Sequence, residues 1–436
     1  MIEADFLVYH AGQLVTLKGP PGPRRGPISP SSLSILPDGA MAARAGRIVW
    51  TGPTDSAARE VGLLPSAAEQ DAGGRVVTPG WVDSHTHPVF HGTRQEEFAM
   101  RAAGADYEEI AGAGGGILNS VRRTRLATSD QLESTMLLHA SNMLRFGTTT
   151  LEAKSGYGLD LDSELRSLEA IASVSRSSSQ TILATFMGAH EVPEEYRGRP
   201  DAAADYLAYL VDTVLPVVKE RGLARFVDIF CEKGVFSPEQ SRWFLERASA
   251  MGFELRMHAD EFHDSGGAAL AAELGALSAD HLLCVSNAGI RALASSATVA
   301  TLLPGTAFFL GKPYPPAREL LDAGAAVALA TDFNPGSCFC ESMPFMVSLA
   351  VCQVGMTIEE ALVAATVNGA AALGVADTKG SLEPGKDADF VIWNLDDYRS
   401  IAYHLAVPDV EAVYTSAQQA VPRASGRASG DPKTGA

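Results

Sequence analysis

The order of apolar and polar positions divides the chain into three stretches. Near the start, residues 6–9, 13–17 and 47–51 are short β-prone runs, the last following the turn signal Ala45, Gly46. From residue 80 the pattern changes. Eight short apolar runs lie at 80–84, 148–153, 182–188, 227–231, 254–257, 278–279 running into Leu282, 298–303 and 326–331. Most are separated by helix-length stretches rich in Ala, Leu, Glu and Arg, such as 163–175 and 237–251. Nearly continuous apolar runs suit strands covered on both faces, and their alternation with helices predicts a parallel sheet. Eight such units in about 250 residues is the arithmetic of a (β/α)8 TIM-like barrel. A doubly wound open sheet has the same alternation. After the turn-like residues 380–386, strands return at 389–393 and 410–414.

The expected architecture is α/β. A small composite β-sandwich domain, residues 1–78 and 378–423, sits beside a barrel of residues 79–377. Residues 19–39 are rich in Pro, Gly and Ser and read as a loop or mobile insertion. Residues 424–436 read as a disordered tail.

Composition narrows the function. Of the 436 residues 46% are hydrophobic and 20% charged, enough to build a core. Lys and Arg total 34 against 52 Asp and Glu, a net charge of −18, which disfavours nucleic acid and anionic membranes as partners. An anionic substrate then needs a local cation. Five cysteines, none in the first half, do not make a disulfide framework. Residues 361–376 are too short and too interrupted by Thr366 and Asn368 to span a membrane, and residues 357–360 have the form of a capping box. The expected location is the cytoplasm.

Polar residues cluster at the ends of the predicted strands: His85 and His87, Glu152 and Lys154, His190, Glu232, His258, His281 and Asp332. In a parallel barrel these ends share the face that carries active sites. On an extended segment His85 and His87 point the same way and can share one ion. With His258 and Asp332 they form a His₃Asp set suited to Zn²⁺ or Fe²⁺ with an open position. Alone, His258 reads equally as a core histidine and Asp332 as a turn residue beside Asn334, Pro335 and Gly336. Glu261, three residues beyond His258, can move a proton, and His281 can hydrogen-bond a water or a carbonyl. Arg94 can clamp a carboxylate, and Tyr157, between two glycines, can reach a polar substrate. Residues 112–116 form a glycine-rich loop without the Lys and Ser/Thr of a phosphate cradle.

These residues sit in longer motifs. His85 and His87 follow residues 79–84, and segments 152–159, 230–236, 258–261, 278–281, 302–305 and 331–337 carry the rest. A trailing Gly380, Gly385, Ala388, Asp389 pattern completes them. Together they resemble the amidohydrolase superfamily and, within it, the imidazolonepropionase family of histidine degradation. The likeness runs from about residue 14 to 414, and only residues 20–37 and the basic tail depart from it.

The resemblance implies a barrel with a composite sheet domain, a homodimer, and one divalent metal, Zn²⁺ or Fe²⁺, held by His85, His87, His258 and Asp332. It implies that Arg94, Tyr157, His190, Glu261 and Ser337 meet the imidazolone. Asn334 and Gly336, with Tyr157, would meet the ring-opened product. The implied reaction is hydrolysis of the ring C–N bond of 4-imidazolone-5-propanoate, with Asp332, Glu261 and His281 as catalytic groups. A mononuclear deaminase of a heterocyclic amidine is the alternative on the same ligands. A two-metal cyclic amidase bridged by a carboxylated Lys154 is a further one.

Overall fold

The computed structural model describes residues 1–105, 109, 114–407 and 409–421. Five strands open the chain: β1 (Ile2–Val15), β2 (Ile35–Arg44), β3 (Arg47–Pro53), β4 (Val61–Asp71) and β5 (Val76–Pro79). Eight follow in the middle: β6 (Trp81–Asp83), β7 (Thr148–Lys154), β8 (Thr181–Ala189), β9 (Phe226–Cys231), β10 (Glu254–Ala259), β11 (Ser278–His281), β12 (Val299–Leu302) and β13 (Val327–Leu329). Three close the described chain: β14 (Phe390–Trp393), β15 (Val410–Thr415) and β16 (Gln418–Val421).

Strands β6 to β13 pair in sequential order, each parallel to the next. All eight expected runs are therefore strands, and the sheet curls into a barrel rather than opening flat. Its last and first strands share no ladder. They meet just beyond their ends, where Thr86 and Phe333 bridge. The Asp332 N–H donates to the His85 carbonyl at 3.0 Å, and the His87 N–H to the Phe333 carbonyl at 2.8 Å. The Asp83 carboxylate braces the same seam by accepting from the Thr331 N–H and Oγ1 at 3.0 and 2.6 Å. Barrel closure thus places His85, His87 and Asp332 side by side.

The outer helices start where side chains cap them. Thr128 with Gln131, Ser237 with Gln240 and Thr357 with Glu360 all form complete capping boxes. The last is the capping box read from residues 357–360.

The terminal strands form one mixed sheet in the order β16-β15-β14-β5-β1-β2-β3, with β4 also on β1. It folds over its own core, in which Phe6, Leu14 and Met41 pack with Phe390, Ile392 and Tyr414. Two details differ from the sequence reading. The runs at 6–9 and 13–17 belong to one strand, broken by a bulge between Val8 and Ala11 where His10 takes φ 51°. The stretch 19–39 is a loop only as far as a short 3-10 turn, Pro30–Leu33, because β2 begins at Ile35. That loop is also tied down. The Arg24 N–H donates to Asn368 Oδ1 at 2.7 Å, Asn368 Nδ2 donates to the Arg24 carbonyl at 2.9 Å, and Leu33 is fully buried. The tail at 424–436, and Gly112 and Ala113 of the glycine-rich loop, lie outside the described residues.

Candidate active site

At the carboxyl ends of the barrel strands the imidazoles of His85, His87 and His258 converge with the Asp332 carboxylate, each at most 3% exposed. His87 Nε2 lies 3.2 Å from His85 Nε2 and 3.3 Å from His258 Nε2. Asp332 Oδ1 lies 3.5 and 3.6 Å from the first two. A tetrahedral ion with ligand distances of about 2.0–2.1 Å has edges of about 3.3–3.4 Å. These four distances, 3.2–3.6 Å, are close to such edges; His85, His87 and Asp332 form one compact donor cluster, which His258 meets through His87.

The protonation pattern agrees. His85 Nδ1 is 2.7 Å from Asp280 Oδ2, and His258 Nδ1 is 3.0 Å from Asp228 Oδ2. Each carboxylate accepts a hydrogen bond from Nδ1–H and leaves an Nε2 lone pair facing the centre. Burial first, and then the Lys154 ammonium and neighbouring imidazoles, hold His85 well below the ordinary histidine range. Burial, His190 and His258 do the same for His87. Neutral imidazoles with facing lone pairs repel one another unless a cation lies between them. The donor set fits a divalent metal.

Beneath the ligands lies a layer of charge in the strand interiors. Lys154 Nζ is 2.8 Å from Glu152 and 2.7 Å from Asp228, and Arg256 Nη2 is 3.1 Å from Asp280. Burial pushes Asp228 up, but His258 and Lys154 outweigh it and hold the carboxyl well below its ordinary range. Lys154 is thus an ammonium between carboxylates. A carbamate there would replace attraction with repulsion, so the carboxylated bridge has no support in this geometry. Of this layer Glu152 and Lys154 were read from the sequence as polar strand-end residues, and Asp280 stands next to His281. Asp228 and Arg256 had a signal nonetheless, a charge inside a strand of otherwise apolar residues.

Asp228→Asn keeps the shape but weakens acceptance of the His258 proton. The expected result is a rise of about 10–100-fold in metal dissociation constant, read by competition with a chelating dye. Unchanged affinity in a folded variant would remove Asp228 from the ligand-orienting role.

The remaining predicted residues surround the cluster. His190 stacks on His87 with centroids 5.0 Å apart, and its Nδ1 bonds the Gly156 carbonyl at 3.0 Å. Tyr157 is buried, its ring 5.3 Å from that of His190. His281 Nδ1 lies 3.6 Å from Glu261 Oε1, and neither His281 nitrogen has a hydrogen-bond partner. Burial, then the Asp332 and Glu232 carboxylates, push Glu261 well above the ordinary carboxylate range. Asp332 (φ 51°) and His281 (φ 79°) both hold left-handed backbone, strain of the kind that collects at functional sites.

The turn after β13 is built around Asn334. Its Oδ1 accepts from the N–H groups of Gly336 and Ser337 at 2.8 and 2.7 Å, and its Nδ2 donates to the Asp332 carbonyl at 2.6 Å. Ser337 Oγ is 3.5 Å from Asp332 Oδ2. Arg94 leans on the turn, since a Cβ on Gly336 would lie 2.1 Å from its Nη1. Thr306, which no motif marked, donates its hydroxyl to Asp332 Oδ2. It comes from the helix Pro304–Leu310, the one after β12.

A model of the amidohydrolase family matches residues 76–421. The imidazolonepropionase of Symbiobacterium thermophilum is 50% identical over 415 residues, covering 95% of this chain and 96% of its own length. That of Porphyromonas gingivalis W83 is 48% identical over 400 residues, covering 92% and 89%. Among solved structures, a zinc-bound adenosine deaminase from Xanthomonas campestris superposes with TM-score 0.71 over 97% of this chain and 94% of its own, at 19% identity. The guanine deaminase of E. coli superposes with TM-score 0.69 over 96% and 99%, at 16% identity. At that distance the structures share the fold alone. By the extent of the sequence identity, the chain belongs to the amidohydrolase family and, within it, to the imidazolonepropionases.

Proposed function

We propose that the chain hydrolyses 4-imidazolone-5-propanoate to N-formimidoyl-L-glutamate, with His85, His87 and Asp332, joined by His258, holding one divalent metal, Zn²⁺ or Fe²⁺. The observation that carries the site is the convergence of His85, His87 and Asp332 at the barrel seam with His258 from β10, the outer nitrogens of His85 and His258 held by carboxylates and Asp332 Oδ2 by Thr306. A divalent ion bound there supplies Lewis acidity and brings the pKa of water near neutrality.

The residues divide the remaining work. Asp332 takes a proton from the attacking water as oxygen adds to the ring carbonyl carbon. His281, with its free ring nitrogens, faces the oxyanion that develops. The carbon–nitrogen bond then breaks, and the departing ring nitrogen needs one proton. Burial first, and then the Asp332 and Glu232 carboxylates, raise the Glu261 carboxyl well above its ordinary range and favour its protonated form, so it is placed to give it. Arg94 holds the propanoate, with Tyr157, His190 and Ser337 around the ring. Asn334 acts on the product through the turn it organises, presenting Gly336. Ring opening creates a second carboxylate, and the basic amidine released with it takes up the proton that carboxyl group loses.

We further assign catalysis to the barrel, residues 79–377, with the composite sheet of 1–78 and 378–423 as its support. The enzyme works in the cytoplasm as a homodimer. Among the described residues no helix is long and apolar enough to cross a membrane.

The test follows loss of 4-imidazolone-5-propanoate by absorbance with metal-replete protein, while ammonia is assayed in parallel. Turnover without ammonia, abolished by chelation and restored by metal, is expected. Ammonia released in step with turnover would point to deamination instead.

A further inference from the structure

We propose that Arg101 is a second carboxylate-recognition residue of this site, sharing the substrate's propanoate with Arg94 against the Gly336 turn. The inference rests on the reaction proposed above and deepens it. Arg94 caps the helix Gln95–Ala102, and Arg101, seven residues on, returns to the same face. Both guanidinium groups reach one glycine. Arg94 Nη1 occupies the space a Gly336 Cβ would take, and Arg101 Nη2 lies 3.4 Å from the Gly336 carbonyl.

The two cations differ in what already holds them. Arg94 is bound by Glu97, with Nε and Nη2 at 2.8 and 2.7 Å from Oε2. Glu97 is itself fixed by the Gly116 N–H at 3.1 Å and Asn119 Nδ2 at 3.0 Å. That pair is neutral before any substrate arrives. Arg101 has no carboxylate within ion-pair distance among the described residues, and its Nη1 is buried with no partner. A buried guanidinium N–H left unpaired is costly unless a ligand completes it. Phe309 lies under the Arg101 guanidinium at 5.5 Å and is braced by Phe98 at 5.0 Å. Phe309 and Thr306 share one short helix, so the element that steadies Arg101 also holds Asp332. Burial first, and then the nearby Arg94, lower the Arg101 pKa against a smaller opposing pull from Glu97. With Glu97 counted, the three groups carry one net positive charge, the local cation that an acidic chain needs for an anionic substrate.

The test compares wild type, Arg101→Met and Arg101→Lys on 4-imidazolone-5-propanoate and on the analogue bearing a carboxamide in place of the carboxylate. Methionine keeps the packing on Phe309. Expected for Arg101→Met is a KM for the carboxylate substrate raised roughly 10–100-fold, with kcat within a few-fold. Its kcat/KM for the carboxamide stays close to wild type, and Arg101→Lys recovers part of the loss. An equal loss on both substrates would make Arg101 a packing residue and overturn the proposal, as would no loss on either. Wild-type protein that does not turn over 4-imidazolone-5-propanoate overturns the reaction, and this inference with it. Normal wild-type turnover beside an unaffected variant overturns Arg101 alone.

Discussion

Asp332→Asn lowers kcat by about 10³-fold or more while much of the metal stays bound. The magnitude follows from the role. A positioned proton acceptor contributes about 10²–10⁴-fold, and a 10³-fold loss corresponds to about 4 kcal/mol of barrier. Asparagine keeps an oxygen toward His85 and His87 but cannot take a proton. Three imidazoles remain, two of them oriented by Asp280 and Asp228. Elemental analysis then reports metal near wild-type content, and steady-state kinetics report the loss. The left-handed backbone of Asp332 favours this substitution as a clean test, because Asn tolerates positive φ better than most residues. A variant with metal and turnover both within tenfold of wild type would mean that Asp332 is a ligand and no base.

What the sequence made legible follows the period of its elements. Apolar runs alternating with helices gave the barrel, and polar residues at the run ends gave its active face, because side chains at strand ends escape the packed interior. The same logic hid the supporting layer. Asp228 and Arg256 sit within strands, where a reading that equates interior with apolar passes over them. Thr306 was invisible for another reason. It reaches Asp332 from a neighbouring helix, and only the tertiary arrangement brings them together. Closure of the barrel through Thr86 and Phe333 is likewise a matter of register between strands more than two hundred residues apart. In the terminal sheet, Pro37 and Gly39 made part of β2 look like loop, although β2 pairs with β1 along most of its length.

Arg256→Met destabilises the protein by about 3–5 kcal/mol, the cost of removing one partner from a buried ionic group. Arg256 is fully buried. It donates to the Ala372 carbonyl at 2.6 Å, the Ser84 carbonyl at 2.7 Å and Asp280 at 3.1 Å. Its Nε lies 2.8 Å from Glu152 Oε1 as an ion pair without hydrogen-bond alignment. Glu152, Asp228 and Asp280 are balanced by Lys154 and Arg256, so the ionised layer carries one net negative charge beneath a site for a dication. Removing Arg256 doubles that imbalance in a medium that screens poorly. It also frees the Ser84 carbonyl, next to His85, and loosens Asp280, which orients His85. The expected fall in Tm is roughly 3–8 °C. Pairing the change with Glu152→Gln removes a negative charge and recovers part of the loss, a coupling that a double-mutant cycle reads directly. A Tm within about 2 °C of wild type would show that the layer is not a balanced unit. A large fall without coupling to Glu152 would assign the cost to the two backbone carbonyls. In the expected case, the charges that stabilise the barrel also set the direction in which its histidines face.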